Sequence, residues 1–167
     1  MKKLKLSLEL IPEQNWGLSL ANKLPKPVWN WFRKKVYLKF HYVCAICGSP
    51  GEMHCHEVWE WNQKRKWQIL KGAQCLCRDC HHIKHWGRTI AEFHKGTLTA
   101  DYIKKLTQHF CTVNNCTEVE FEVHKLEARE LWASRSKIAY KINWGSWSPV
   151  ELEKKYRQEM EGKKVTL

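Results

Sequence analysis

Cysteines and histidines in this chain fall into two spacings that suit metal ions. Cys44-Ala45-Ile46-Cys47 and Cys77-Arg78-Asp79-Cys80 are CxxC turns, and each can present two thiolates to one ion. Together Cys44, Cys47, Cys77 and Cys80 would complete a tetrahedral sphere with no open position, a structural Zn2+ cage. Cys75 in place of Cys77, or four free thiols, is the competing arrangement. His81 and His85 follow the second turn at i and i+4, so a helix sets both rings on one face. Between the turns lies His54-Cys55-His56-Glu57. A strand there points His54 and His56 to one face, Cys55 and Glu57 to the other. Laying His56 against His81 and His85 would bring three imidazoles to one ion and leave it a free position for water or a phosphate oxygen. A lone histidine is more often a satisfied core or surface residue. Three at these spacings, bracketed by CxxC turns, favour a second site for a divalent metal.

The elements that must position these groups can be read from periodicity and punctuation. Residues 2–11 alternate, with Leu4, Leu6, Leu8 and Leu10 on one face, which predicts a strand. Residues 12–25 read as an irregular connection. Pro27 stands well at the first turn of a helix running to about His41, with Val28, Phe32, Val36 and Phe40 as its apolar stripe. Met53–Trp61 and Lys66–Lys71 read as the strands of a hairpin turned at Asn62-Gln63-Lys64-Arg65. A helix from Cys80 passes His85 and either breaks near Gly87 or continues toward Phe93. Further helices are expected from Thr99 through Phe110, over Glu118–Lys141 with Phe121, Ala128, Leu131 and Trp132 toward the core, and from a capping box at Ser148-Pro149-Val150-Glu151 to about Glu161, with a frayed tail after it. The class is α+β, in three parts: an N-terminal strand and basic helix (1–43), a metal-bearing core (44–95) and a C-terminal helical region (96–167).

Composition narrows the setting. The chain has 167 residues, a formal charge of +12, ten Trp and eight Cys. Residues 1–43 hold nine Lys or Arg against two acids and residues 62–95 hold eight against two, whereas 44–61 is locally acidic. A basic rim around an acidic, histidine-bearing strand suits a polyanion over a cation, and general solubility is the plainer account. No apolar run approaches a membrane span and no signal-peptide pattern opens the chain, so a cytoplasmic protein with no membrane partner is expected. Repeated CxxC spacing without a secretion signal favours metal over disulfides.

The run Cys44-xx-Cys47, a histidine-bearing strand, then Cys77-xx-Cys80-His81-xxx-His85 resembles the HNH, or ββα-metal, endonuclease family over residues 44–86. His56-Glu57-Val58-Trp59-Glu60-Trp61 and Cys80-His81-His82-Ile83-Lys84-His85-Trp86-Gly87 look like a bacterial and phage subgroup, and Trp132-Ala133-Ser134-Arg135-Ser136 is similar to a segment of it. The resemblance implies a β-hairpin packed on a helix around one divalent ion (Mg2+, Mn2+, Ni2+ or Zn2+), with zinc beneath, and hydrolysis of phosphodiester bonds, usually in DNA, in a bacterial or phage-infected cell. His81 and His85 match the helical metal ligands. The strand departs from the usual pair of ligand and base. Cys55 as ligand would leave His56 as base; His56 as ligand would leave Glu57; His54 could fill the missing role in either register. The family asparagine, expected about five residues before Cys77, is replaced by Gly72, with Gln74 or Asn62 as stand-ins.

Nucleic acid, DNA before RNA, would meet Lys64, Arg65, Lys66 and Lys71 on the hairpin and Lys84 and Arg88 on the helix, each neutralising one phosphate. Trp59, Trp61, Trp67 and Trp86 interleave with them, chiefly as packing, otherwise as stacking surfaces. Arg135 reads equally as an internal ion-pair partner or a phosphate contact. The alternative functions are a zinc-stabilised nucleic-acid-binding module that has lost the cut, and a protein-interaction adaptor using the Glu-rich helix.

Overall fold

A computed structural model describes residues 4–164. The protein is α+β, with a three-stranded sheet in the order β1-β2-β3 and seven α-helices among the described residues. β1 (Met53–Asn62) and β2 (Trp67–Cys77) form an antiparallel hairpin in which Met53 pairs with Cys77 and Asn62 with Trp67. Asn62 Oδ1 accepts the Arg65 N–H at 2.8 Å and closes the turn, the local bond that favours Asn at such corners. β2 runs six residues beyond the Lys71 end that the sequence suggests. Gly72 does not stop it: the ladder slips between Val58 and Trp59, and Gly72 takes a φ of +147°, open to glycine and hostile to a β-carbon.

β2 ends at Cys77, whose thiol sulfur accepts the Cys80 N–H at 3.5 Å and so caps α3 (Arg78–Lys84). The chain bends at His85 and continues as α4 (Trp86–His94), so the break falls two residues before Gly87 and the helix still passes Phe93. α5 (Ala100–Asn114) starts on the Thr99 cap as expected and extends four residues past Phe110. α6 (Glu118–Ser136) opens with a reciprocal Thr117–Glu120 capping box. It stops five residues short of the expected Lys141, because Lys141–Asn143 leaves the helix to pair in parallel with Trp67–Ile69 as β3. α7 (Pro149–Lys164) begins where Ser148 Oγ accepts the Glu151 N–H at 3.3 Å and runs three residues past Glu161; the last part of the expected tail lies outside the described residues.

Two expectations fail in the N-terminal region. Residues 4–11 form no strand, although Leu6 and Leu8 are buried as the alternation implied. Their backbone is satisfied by side chains instead of a ladder: Asn114 Oδ1 accepts the Lys5 and Leu6 N–H groups, Asn114 Nδ2 donates to Leu6 O, and His124 Nε2 accepts the Leu8 N–H. Residues 12–25 are more ordered than expected, with a short 3-10 turn at Glu13–Asn15 and a one-turn helix α1 (Leu20–Lys23) capped by Ser19. α2 (Lys26–Lys39) carries the predicted stripe of Val28, Phe32 and Val36 and stops where His41 and Tyr42 turn left-handed (φ +53° and +58°).

Two cores result. One gathers Leu6, Leu8, Leu76, Ile83, Trp86, Leu106, Phe110 and Phe121 between the N-terminal segment, α3, α5 and α6. The other packs α2 and Leu152 of α7 on the opposite face of the hairpin, against Met53, Leu70 and Cys75. The first draws on residues from Leu6 to Ala128 and the second on residues from Leu20 to Leu152. On α6 Phe121 and Ala128 are buried, but Leu131 is 44% exposed and Trp132 instead hydrogen bonds Ile11 O at 3.1 Å. Phe121 is fully buried between Trp86 and Phe110, with ring centroids 5.2 and 4.5 Å away. Phe121→Ala should lower unfolding free energy by about 3–5 kcal/mol in urea titration; a loss under ~1 kcal/mol would show that the first core does not depend on this contact. No described helix is long and apolar enough to cross a membrane.

Candidate metal centres

The four cysteines of the two CxxC turns come together, their sulfurs within 4.8 Å of one another. The first turn is folded by Gly48 N–H donating to Cys44 O and by Ala45 N–H donating to Cys75 O, which ties it to β2. The second straddles the join of β2 and α3. Cys47 Sγ and Cys77 Sγ are 3.6 Å apart. Four thiols so close cannot all ionise without a cation. The Cys44 thiol is held low by hydrogen bonds from Cys77 and Cys80, and Cys77 is pushed up to about 12 by its bond to Cys44. A tetrahedral dication would stabilise all four as thiolates, and the donor set fits zinc. His109 Nε2 stands 3.2 Å from Cys80 Sγ, close enough to donate to that sulfur. Cys75 faces away, fully buried and opposite Cys55 in the hairpin, which leaves Cys77 as the sulfur in the cluster.

The histidines meet on the other side of α3. His81 on α3 and His85 at its C-terminal cap have ring centroids 4.6 Å apart, and β1 lays His56 against them. The ligand nitrogens of all three lie within 4.8 Å, and His56 Nδ1 is 3.1 Å from His85 Nε2. Two imidazole nitrogens bound to one ion at about 2.0–2.1 Å would stand roughly 3.3 Å apart, so this spacing could hold a metal. Burial, and the mutual repulsion of charged imidazoles, keep His81 well below the usual histidine range and His85 at about 3, so both rings are neutral, as ligation requires.

Behind His56 stands a residue that sequence reasoning missed. Glu9 Oε2 lies 2.9 Å from His56 Nε2, while Glu9 Oε1 receives the Lys84 ammonium at 2.5 Å and the Glu9 N–H donates to Lys84 O. Burial alone would raise the Glu9 carboxyl; His56 and Lys84 overcome it and hold it at about 2. A carboxylate on the far nitrogen fixes the tautomer, leaving Nδ1 free to bind a metal. Glu9 is 47 residues from His56 in a segment that read as a strand, and no local pattern marks it.

The remaining predicted residues divide sharply. The His54 ring stacks on His81 (4.8 Å, 12°), and its buried Nε2 has no hydrogen-bond partner among the described residues. Cys55 and Glu57 lie on the opposite face. Cys55 packs into the second core, its thiol raised to about 12 by burial, and Glu57 is bonded to the Leu20 N–H (2.6 Å) and Trp59 Nε1 (3.1 Å). Neither reaches the histidines. Of the two stand-ins for the family asparagine, Asn62 is used in the hairpin turn and Gln74 is the ladder partner of His56. Lys64, Arg65, Lys66, Lys71 and Arg88 are exposed, but Lys71 lies off the expected rim, beside Glu60 and on the α2 and α7 side of the hairpin. Lys84 is not on that rim: it is 6% exposed and taken up by Glu9. Arg135 settles over Trp61 at 5.2 Å with its Nε buried and unpaired among the described residues. Trp86 is core, and Trp59 and Trp61 pack edge-on against Trp144 and Tyr140.

Comparison with protein-family models, with curated proteins and with solved structures finds no match to this chain.

Proposed function

We propose that the protein is a metal-dependent phosphodiesterase of the HNH type acting on DNA, with zinc in the four-cysteine cage and a divalent ion on His56, His81 and His85. The observation that carries the reading is the convergence of those three imidazoles with a carboxylate behind His56. It is the arrangement of a catalytic rather than a closed site, since only three protein ligands are offered. The ion would polarise a phosphate oxygen and stabilise the charge on the leaving oxygen.

The protein residues divide the remaining work. His56 Nε2 is committed to Glu9, which leaves Nδ1, turned toward His85 Nε2, to bind the ion. That makes it a ligand and assigns the base to His54, whose side chain is 30% exposed beside His81. His54 takes a proton from water as the water oxygen bonds to phosphorus and the bond to the leaving oxygen breaks. The exposed Lys64, Arg65, Lys66 and Arg88 hold neighbouring phosphates without reading sequence. Gly72 in place of the asparagine favours a second reading, a binding module that has kept the cage without the cut.

Supercoiled plasmid separates the two. Incubation with Mg2+, Mn2+ or Ni2+ should relax the plasmid, and His81→Ala should lower the rate about 100-fold or more while zinc stays at one per chain. Intact plasmid with every metal, alongside salt-sensitive retention of DNA, would establish the binding module instead.

A further inference from the structure

On the side of the hairpin away from the histidines, α2, α7 and the bulged part of β2 border a half-open cavity of about 500 Å³. Its wall is aromatic, with Trp31 and Trp147 partly exposed, and four exposed lysines line it: Lys35, Lys39, Lys71 and Lys155. No carboxylate is among its lining residues. Lys35 is held by Glu159 at 2.7 Å and Lys71 lies 3.5 Å from Glu60. Lys39 and Lys155 have no ion-pair partner among the described residues. β3 covers only Trp67–Ile69, so the outer edge of β2 from Lys71 to Gln74 carries no strand among the described residues, and Lys71, Gly72, Ala73 and Gln74 line this cavity along that edge.

Flat aromatic walls, a sheet edge with no strand on it and a cationic rim are the three things a nucleotide needs: a surface to stack its base, backbone groups to bond the base edge, and charge for its phosphate. The volume is in the range of small-molecule sites. Duplex bases are already stacked and cannot enter. We infer that this cavity holds an unpaired nucleotide of a single strand, with its flanking phosphates on Lys39 and Lys155. The inference rests on the nucleic-acid part of the proposed function but not on the cut.

The test reads binding by quenching of tryptophan fluorescence, without added divalent ion. An oligothymidylate of about 12 nucleotides, within the span such sites cover, is titrated against a duplex of equal length. Lys39→Glu/Lys155→Glu should weaken single-strand binding by about 10-fold or more and flatten its salt dependence, with duplex binding changed less than about twofold. Equal losses on both substrates would overturn the inference, since the lysines would then act only as general charge. Saturable quenching by thymidine monophosphate alone, lost in the variant, would also overturn it and give the cavity to a free nucleotide. Both lysines are exposed, so folding is not at stake. Plasmid cutting by the same variant reports on the histidine site separately, so either reading can fail without the other.

Discussion

Cys80→Ala is expected to abolish cooperative unfolding at 37 °C, and stripping zinc from the wild type should do the same. The four cysteines come from three pieces: the 44–48 turn, the end of β2 and the first turn of α3. Cys77 is at once a member of the cluster and the cap of α3, so releasing it frees the helix that carries His81 and His85. Structural zinc contributes about 10–16 kcal/mol in small peptides, comparable to the roughly 5–15 kcal/mol of a whole domain, so its loss outweighs the rest. Metal content by mass spectrometry with circular dichroism melting checks it. Cys75→Ala is the control: it should cost stability as a small core substitution and leave zinc at one per chain. A zinc-free protein with an unchanged Tm would refute the cage.

Glu9→Ala should produce two losses that can be separated. Removing the carboxylate leaves Lys84, 8% exposed in its side chain, as an uncompensated ammonium. The cost should be about 2–3 kcal/mol, below the roughly 3–5 of a fully buried pair because a third of the Glu9 side chain meets solvent. His56 also loses its orienting partner, which should lower affinity for the second metal about 10–100-fold, read by calorimetry with Mn2+ or Ni2+. Adding Lys84→Met separates the effects, since the double variant should recover stability without recovering metal affinity. If metal affinity returned along with stability, Glu9 would be a partner of Lys84 and nothing more.

What was legible in the sequence was what depends on near neighbours. The CxxC turns, the i,i+4 pair of His81 and His85, the hairpin corner at Asn62 and the caps at Thr99 and Ser148 are each set within a few residues, and the structure has them in place. Strand alternation sorted His56 from Cys55 and Glu57 for the same reason. Elements whose state is decided at a distance were misread. The leucine alternation of residues 4–11 is a true record of burial, yet its hydrogen bonds go to Asn114 and His124, and alternation cannot tell a ladder from a side chain that imitates one. The helix expected to reach Lys141 stops at Ser136, and Lys141–Asn143 forms a strand because the edge of β2 is there to pair with it. Glu9 and His109 reach His56 and Cys80 across the core, and no spacing announces them.

The bonds from Leu6 to Asn114 and from Leu8 to His124 join positions more than 100 residues apart. They adjoin the bonds that tie Glu9 itself to Lys84 of α3. During synthesis, the hairpin and α3 can form as soon as they emerge and can already meet Glu9, but Leu6 and Leu8 just before it gain their bonds only after α5 and α6 have been made. Contacts of such long range are slow to close. The histidine cluster therefore tightens last, and a nascent or truncated chain lacking α6 would hold its orienting carboxylate by Lys84 and His56 alone.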